Sequence, residues 1–109
     1  MKVGIIRCEA RMHECAGYKC LPSAQHATGM FTGYTNVEIV GFDTCGGCGR
    51  KKADKIVDRA LRLQRKGAEV IHLSDCVLSG CLHLDIYVAA LRAQGLKVVE
   101  GTHKLPAKQ

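Results

Sequence analysis

The sequence has no tryptophan, and only three tyrosines and two phenylalanines occur among its 109 residues. So few aromatic side chains leave little material for the stacking platforms on which proteins hold nucleic-acid bases. The formal charge of +6 does not reverse this expectation, because much of it comes from basic residues on the solvated face of one predicted helix: Lys51, Lys55, Arg59, Arg62 and Lys66. We therefore expect no nucleic-acid partner, while docking of an acidic protein partner stays open.

Long hydrophobic runs are absent as well. No apolar stretch approaches the roughly 20 residues of a membrane-spanning helix, and the opening segment, residues 1–7, is too short an apolar stretch for a signal peptide. We find no internal repeat, linker or low-complexity tract. We expect a soluble, cytoplasmic protein with no membrane partner, built as a single domain over residues 1–109 that buries a core of its own.

Cysteine, in contrast, is abundant: seven cysteines accompany five histidines. An odd number of cysteines, an adequate core and the lack of an export signal argue against a disulfide framework. The thiols are then metal ligands, redox groups or inert core residues, since a free cysteine commonly packs as a small hydrophobe. Their positions along the chain distinguish these roles.

Four short, apolar and largely β-branched segments predict parallel strands covered on both faces. They are residues 3–6, 37–40, 70–73 and 96–99. An amphipathic helix over residues 53–66 and a second helical repeat that ends at Gly95 separate the later strands. The alternation predicts an α/β fold, a small flavodoxin-like or Rossmann-like parallel sheet of about four strands in the order 2-1-3-4 with crossover helices.

The first connection, residues 9–36, is long and shows no clean period, apart from a short helix predicted within residues 23–30. So long an irregular segment inside a small domain is typical of a functional loop. It contains Cys15 and Cys20, of which Cys20 has only its spacing from Cys15 in its favour.

A potential metal ligand follows each predicted strand within a few residues. Because parallel strands end along one edge of a sheet, where open α/β folds bind their ligands, residues from the whole chain are expected at one rim. None of the cysteines falls in a predicted strand or on the apolar face of a predicted helix. The predicted metal ligands are Cys8, Cys15, Cys45, Cys48, Cys76, Cys81, His83 and His103, and the five cysteines other than Cys15 form the centre of this set.

The sharpest local motif is Cys45-Gly46-Gly47-Cys48. Two cysteines separated by two residues can direct both sulfurs at one ion, and the glycines allow the tight turn that this requires. The helix that follows and the basic residues 50–52 favour thiolate, which is both the metal-binding and the nucleophilic form. Asp43 and Asp75 flank the rim, either as partners that orient ligands or as helix caps and turn formers.

The histidines divide by position. His72 lies inside an apolar strand, so we predict a satisfied core residue, and we predict surface positions for His13 and His26 in the irregular loop. His83 and His103 fall at the rim, where an imidazole can bind metal or move protons.

The number of thiols at this rim decides between the main hypotheses. A dithiol enzyme needs one pair and perhaps a resolving cysteine, whereas zinc or an iron-sulfur cluster takes four ligands. We therefore predict a metal-binding protein that holds zinc or an iron-sulfur cluster. Two alternatives stay open: a thiol-disulfide oxidoreductase in which Cys45 attacks and Cys48 resolves, and a carrier or sensor that delivers its ion to a partner.

With these motifs in view, the chain resembles the CGGC-domain family, small proteins mainly of anaerobic bacteria and archaea that have been proposed to bind metal through their cysteines and histidines. The resemblance covers essentially the whole chain. Its motifs are the opening strand with Cys8, the Cys15 and Gly17 pair, residues 37–42 leading into residues 45–48, Gly67-Ala68-Glu69, Cys76, Cys81, His83 and the closing Gly101-Thr102-His103. The chain departs from the family at Gly49, where a proline is frequent, and in a shorter segment before Cys81. The resemblance implies metal binding and no particular reaction.

Overall fold

The computed structural model describes residues 1–11 and 15–104. Its strands are β1 (Lys2–Arg7), β2 (Glu38–Thr44), β3 (Val70–Leu73) and β4 (Val98–Glu100). Its helices are α1 (Cys20–Gln25), α2 (Lys52–Arg65), α3 (Asp75–Gly80) and α4 (Leu84–Ala93), and two 3₁₀ turns span Glu9–Arg11 and Gly29–Phe31. Within these residues no helix is both long enough and apolar enough to cross a bilayer.

All four strands are parallel and lie in the order β2-β1-β3-β4. The predicted α/β fold and strand order are therefore confirmed. β1 pairs with β2 on one side and with β3 on the other, so Ile5 lies opposite both Phe42 and His72. Every residue of β3 is buried, which explains why this segment is continuously apolar rather than alternating.

Side chains that alternate along β1 build a core on each face of the sheet. Ile6 packs with Ile56 and Leu63 of α2 and with Tyr87 of α4. Val3 and Ile5 point to the opposite face, where they pack with Phe31 of the second 3₁₀ turn. With both faces covered, the edge at which the parallel strands end is free to carry a site.

Several boundaries differ from those predicted. β2 extends to Thr44, so the Cys45-Gly46-Gly47-Cys48 motif follows it directly, and β4 begins at Val98 rather than at residue 96. Helix α1 begins at Cys20 rather than within residues 23–30, and α3 (Asp75–Gly80) was not predicted. Cys20 and Cys76 therefore lie in helices, although the sequence places them in loops.

Candidate functional site

The cysteines at the carboxyl edge of the sheet are divided between two pockets. The first thiol pocket has a volume of about 190 Å³ and is lined by Cys8, Ala10, Cys45, Cys48, Val77, Gly80, Cys81, Leu82 and His83. The second thiol pocket has a volume of about 360 Å³ and is lined by Arg11, Cys15, Tyr18, Lys19, Cys20, Cys76 and His103. The sequence predicted one rim, and it did not anticipate that Cys76 would be separated from Cys45 and Cys48.

The register between β1 and β2 places two of the thiols side by side. Arg7 is paired with Thr44 at the ends of these strands, and the Cys45 backbone N–H donates to the Arg7 carbonyl at 2.9 Å. The residue that follows each strand is a cysteine, Cys8 after β1 and Cys45 after β2. Two neighbouring parallel strands thus deliver two sulfurs to the first thiol pocket.

The turn after β2 depends on glycine. Gly46 and Gly47 have φ angles of 88° and 91°, which confirms the left-handed conformation expected for the motif. A Cβ atom at Gly46 would lie 2.9 Å from the Lys55 Cβ atom on α2, so the turn also packs closely against that helix. The glycines let the chain reverse between Cys45 and Cys48 so that both line the same pocket.

A polar network anchors the base of this turn. The Arg59 guanidinium donates to Asp43 Oδ1 at 3.0 Å and to Thr44 Oγ1 at 2.9 Å. The Thr44 hydroxyl in turn donates to Glu9 Oε1 at 2.9 Å. Arg59 was predicted to lie on the solvated face of its helix, whereas it is half-buried and holds the end of β2, and Asp43 serves this anchor rather than a helix cap.

The thiols of the first thiol pocket differ in access to solvent. Cys45 is buried, with 4% of its surface exposed, whereas Cys48 is exposed and Cys8 and Cys81 are half-buried. Burial raises the pKa of the Cys81 thiol, and the nearby sulfurs of Cys48, Cys45 and Cys8 raise it further, against a hydrogen bond from the His83 N–H. The Cys81 sulfur therefore lies within electrostatic reach of the other three.

Tyr87 lies beneath these thiols and carries a buried hydroxyl. Its side chain is fully buried, and among the described residues its hydroxyl makes no hydrogen bond of good geometry, although the Cys48 thiol lies near enough to raise its pKa. Burial raises the pKa of Tyr87, and the Cys45, Cys48 and Cys81 thiols add to the rise, so the hydroxyl keeps its proton. A buried donor without an acceptor costs about 1–3 kcal/mol, and a thiolate beside it would supply the acceptor.

The donor chemistry of the first thiol pocket fits a thiophilic metal. Four thiols and one imidazole are the ligands that zinc and iron-sulfur clusters use, and none of the described lining residues is a carboxylate. The orphaned Tyr87 hydroxyl fits the same group, because ligand sulfurs accept hydrogen bonds. In residues 1–11 and 15–104, no three side chains of Cys, His, Asp or Glu converge closely enough to hold an ion. Binding would thus require the thiols to turn toward a common point.

In the second thiol pocket the sulfurs are held by hydrogen bonds. Cys76 Sγ lies 2.8 Å from Ser74 Oγ and accepts from the Cys8 backbone N–H at 3.5 Å. Cys20 Sγ lies 3.2 Å from Thr102 Oγ1. Burial raises the pKa of the Cys20 thiol, and the hydrogen bond to Thr102 opposes this.

A buried carboxylate orients the imidazole of this pocket. Asp75 Oδ2 accepts hydrogen bonds from the Thr102 hydroxyl at 3.1 Å and from the His103 and Lys104 backbone N–H groups at 3.0 Å each. The same oxygen lies 3.0 Å from His103 Nδ1. Of the two roles considered for Asp75, the structure shows the one that orients a candidate ligand.

Of the remaining histidines, the two that the structure describes, His26 and His72, line neither pocket. His72 is fully buried, and its Nδ1 lies 2.8 Å from the Gly101 carbonyl while Nε2 lies 2.9 Å from the Tyr34 hydroxyl, so the predicted core role is confirmed. His26 is exposed, as predicted. His13, for which a surface position was predicted, lies outside the described residues.

Known proteins match almost the entire chain. The family model described as the CGGC domain matches residues 2–103. An uncharacterized protein of Methanocaldococcus jannaschii is 32% identical over 119 aligned residues, which cover 99% of this chain and 91% of the relative. No solved structure gives a significant match. The cysteine-rich carboxyl edge described above, with its Cys45-Gly46-Gly47-Cys48 turn, is thus that of a chain that belongs to the CGGC-domain family.

Proposed function

We propose that the protein is a cytoplasmic metal-binding protein whose first thiol pocket holds zinc or an iron-sulfur cluster. The observation that carries the proposal is the lining of this pocket, where four cysteines from three segments of the chain meet one histidine and no described carboxylate. Cys8, Cys45, Cys48 and Cys81 supply a full set of four sulfur ligands, and His83 is the alternative for one of them. Reduced thiols in this number suit the cytoplasm.

Electrostatics favour a cation in this pocket. Burial raises the pKa of the Cys81 thiol, and the neighbouring sulfurs of Cys48, Cys45 and Cys8 add to the rise. A cation among the sulfurs reverses this effect, because it stabilises every thiolate at once. Zinc there would tie the ends of β1 and β2 to the segment between α3 and α4, and a cluster would in addition carry an electron.

The test is metal content after purification without air. We expect zinc or iron in stoichiometric amount, with a broad absorption band near the visible edge only for a cluster. A Cys45→Ser/Cys48→Ser double variant should lose the metal of the first thiol pocket. His26→Gln is the matched control, because it removes an exposed side chain of a ligand type that is not part of the pocket lining. Protein that is metal-free and binds neither zinc nor a reconstituted cluster would contradict the proposal.

A second candidate function is thiol-disulfide exchange, favoured by the unequal burial of the two motif cysteines. Cys48 is exposed and Cys45 is buried, so an external disulfide can reach Cys48 first, in the opposite order to that expected from the sequence. The Cys48 thiolate would attack the substrate disulfide, form a mixed disulfide and release one thiolate. Cys45 would then attack the Cys48 sulfur and release the second thiolate, so that the substrate gains two electrons and the protein keeps a Cys45–Cys48 disulfide.

Trapping distinguishes this candidate from metal binding. In metal-free protein, Cys45→Ser should accumulate the mixed disulfide on Cys48, and Cys48→Ser should form none, as judged by the mass of the intact protein after exposure to a small disulfide. The wild type should lose two thiols reversibly. A Cys48→Ser variant with undiminished reductase activity would exclude this mechanism.

A further inference from the structure

We propose that the second thiol pocket is a separate binding site for a thiophilic divalent metal of the zinc type. Its ligands are the thiolates of Cys15, Cys20 and Cys76 and the Nε2 atom of His103. The inference goes beyond the proposed function, because it uses no side chain of the first thiol pocket.

The donor set is that of a zinc site with three sulfurs and one nitrogen. Cys15, Cys20, Cys76 and His103 line a single pocket, although they come from the first loop, α1, α3 and the segment after β4. Thiolate and neutral imidazole are the donors that zinc takes in four-coordinate sites. As in the first thiol pocket, the donors line the cavity without converging, so the ion would draw them inward.

The orientation of His103 is the observation that sets this pocket apart from a chance group of cysteines. Asp75 lies 3.0 Å from Nδ1, and its carboxylate is only 9% exposed and held by two backbone N–H groups and the Thr102 hydroxyl. Because a carboxylate accepts hydrogen bonds, it places the imidazole proton on Nδ1 and leaves the Nε2 lone pair free. Histidines that ligate metals are commonly oriented in this way, by a carboxylate on the other ring nitrogen.

Two sulfurs of the second thiol pocket accept hydrogen bonds from backbone N–H groups. The Cys8 backbone N–H donates to Cys76 Sγ at 3.5 Å, and the Gly17 backbone N–H donates to Cys15 Sγ at 3.4 Å. Hydrogen bonds of this kind favour the ionised form of a sulfur and fix its position. Cys20, which had little support in the sequence, lines the same pocket, but its Sγ lies 3.8 Å from His103 Nδ1, on the side of the ring that faces Asp75, so it would have to turn to join Nε2 at the ion.

The charges around the pocket match an occupied site of this composition. Three thiolates and the Asp75 carboxylate around one divalent cation leave a net negative charge. Arg11 and Lys19 also line this pocket and offset that charge. None of the described residues that line the first thiol pocket is a lysine or an arginine, so the two pockets are electrostatically different.

The experiment is equilibrium dialysis of the full chain against zinc alone, followed by elemental analysis. We expect two zinc ions per wild-type chain, one in Cys45→Ser/Cys48→Ser and one in Cys76→Ser/His103→Gln. Asp75→Asn keeps every ligand but should weaken zinc binding at the second thiol pocket about 10–100-fold. With cobalt as the probe, Asp75→Asn should shift the absorption bands of cobalt in the second thiol pocket. The bands of cobalt in the first thiol pocket should stay unchanged. Circular dichroism checks that each variant is folded.

The outcomes separate the two proposals. One zinc ion in the wild type that is lost in Cys45→Ser/Cys48→Ser overturns the second site and leaves the first intact. One ion that survives in that variant and is lost in Cys76→Ser/His103→Gln supports the second site and excludes zinc, though not a cluster, from the first. A wild type that binds none overturns the second site and likewise leaves only a cluster for the first, and an Asp75→Asn variant with unchanged affinity and cobalt bands overturns the role of the oriented imidazole.

Discussion

Removal of the Tyr87 hydroxyl, which lacks a hydrogen-bond acceptor of good geometry among the described residues, should have opposite effects on the metal-free and the metal-loaded protein. In the metal-free chain, Tyr87→Phe removes a buried donor without an acceptor, so the free energy of unfolding should stay the same or rise by about 1 kcal/mol. In the loaded chain the same change removes a hydrogen bond to a ligand sulfur, so metal affinity should fall. Chemical denaturation and competition with a chelator measure the two effects.

Tyr18 offers the control for this residue, because 76% of its surface is exposed and it lies outside the first thiol pocket. Tyr18 lines the second thiol pocket, so the comparison is limited to the first: Tyr18→Phe should change neither the free energy of unfolding nor the metal affinity of the first thiol pocket by more than a few tenths of a kcal/mol. A Tyr87→Phe variant that loses stability without metal, and keeps full metal affinity, would show that the hydroxyl serves the core rather than the thiols.

The buried imidazole of His72 should make the free energy of unfolding depend on pH. Burial lowers its pKa, against a hydrogen bond to the Gly101 carbonyl, so the folded state holds the neutral ring. Because the unfolded histidine titrates near pH 6.5, this contribution is complete above about pH 6.5 and is lost as the pH falls toward the lower folded-state pKa. We expect the free energy of unfolding to decrease by up to about 1.4 kcal/mol per pH unit in that window.

Denaturation at pH 7 and pH 5 measures this slope. His72→Gln should flatten it, although it also lowers stability at neutral pH by removing the stacked contact with Phe31. His26→Gln, at an exposed position, should leave the slope unchanged. Equal slopes in the wild type and His72→Gln would show that His72 does not govern the acid sensitivity.

At the scale of structural elements, the turn between β2 and α2 leads to a specific prediction about stability. Gly46→Ala adds a Cβ atom at a φ of 88°, 2.9 Å from the Lys55 Cβ atom. Gly49→Ala in the same turn adds one at a φ of 114°, where no atom lies within 4 Å. Both should be destabilised by about 1–3 kcal/mol through backbone strain, but Gly46→Ala should be the more severe.

Thermal denaturation compares the two alanine variants, and their difference isolates the contact of the turn with α2. Metal binding should follow the same order, because Gly46 sets the path between Cys45 and Cys48. If Gly49→Ala were the more damaging change, the close packing of Gly46 would not be what holds the turn.

The strands and helices also differ in how well the sequence predicted them. The strands and their order were predictable, because β-branched segments alternate with helical repeats and parallel connections are right-handed. Helix α3 was not, since its six residues are too few to show a period. Because α3 was not predicted, the sequence did not indicate that the cysteines would be divided between two pockets. Cys76 lies in the first turn of α3, whereas Cys81 directly follows the last residue of this helix, and the two line different pockets.

For the whole molecule, a bound metal is a stabilising ligand. A ligand that binds only the folded state adds about 4 kcal/mol when its free concentration is 1,000 times Kd. Removing the metal with a chelator should therefore lower the melting temperature of the wild type by many degrees. The Cys45→Ser/Cys48→Ser variant should lose the part of this shift that belongs to the first thiol pocket, and an unchanged shift would place the stabilising ion elsewhere.

The order of the site residues along the chain has a consequence for synthesis. The first thiol pocket draws on residues from Cys8 to Cys81, and β1, at whose end Cys8 lies, pairs with β3 only after residues 70–73 exist. A chain that grows on the ribosome thus exposes Cys8, Cys15 and Cys20 long before their partners have emerged. Under the proposed function, an ion could fill the first thiol pocket only after Cys81 has emerged, so its loading would follow synthesis of β1, β2 and β3 and would report that these strands have paired.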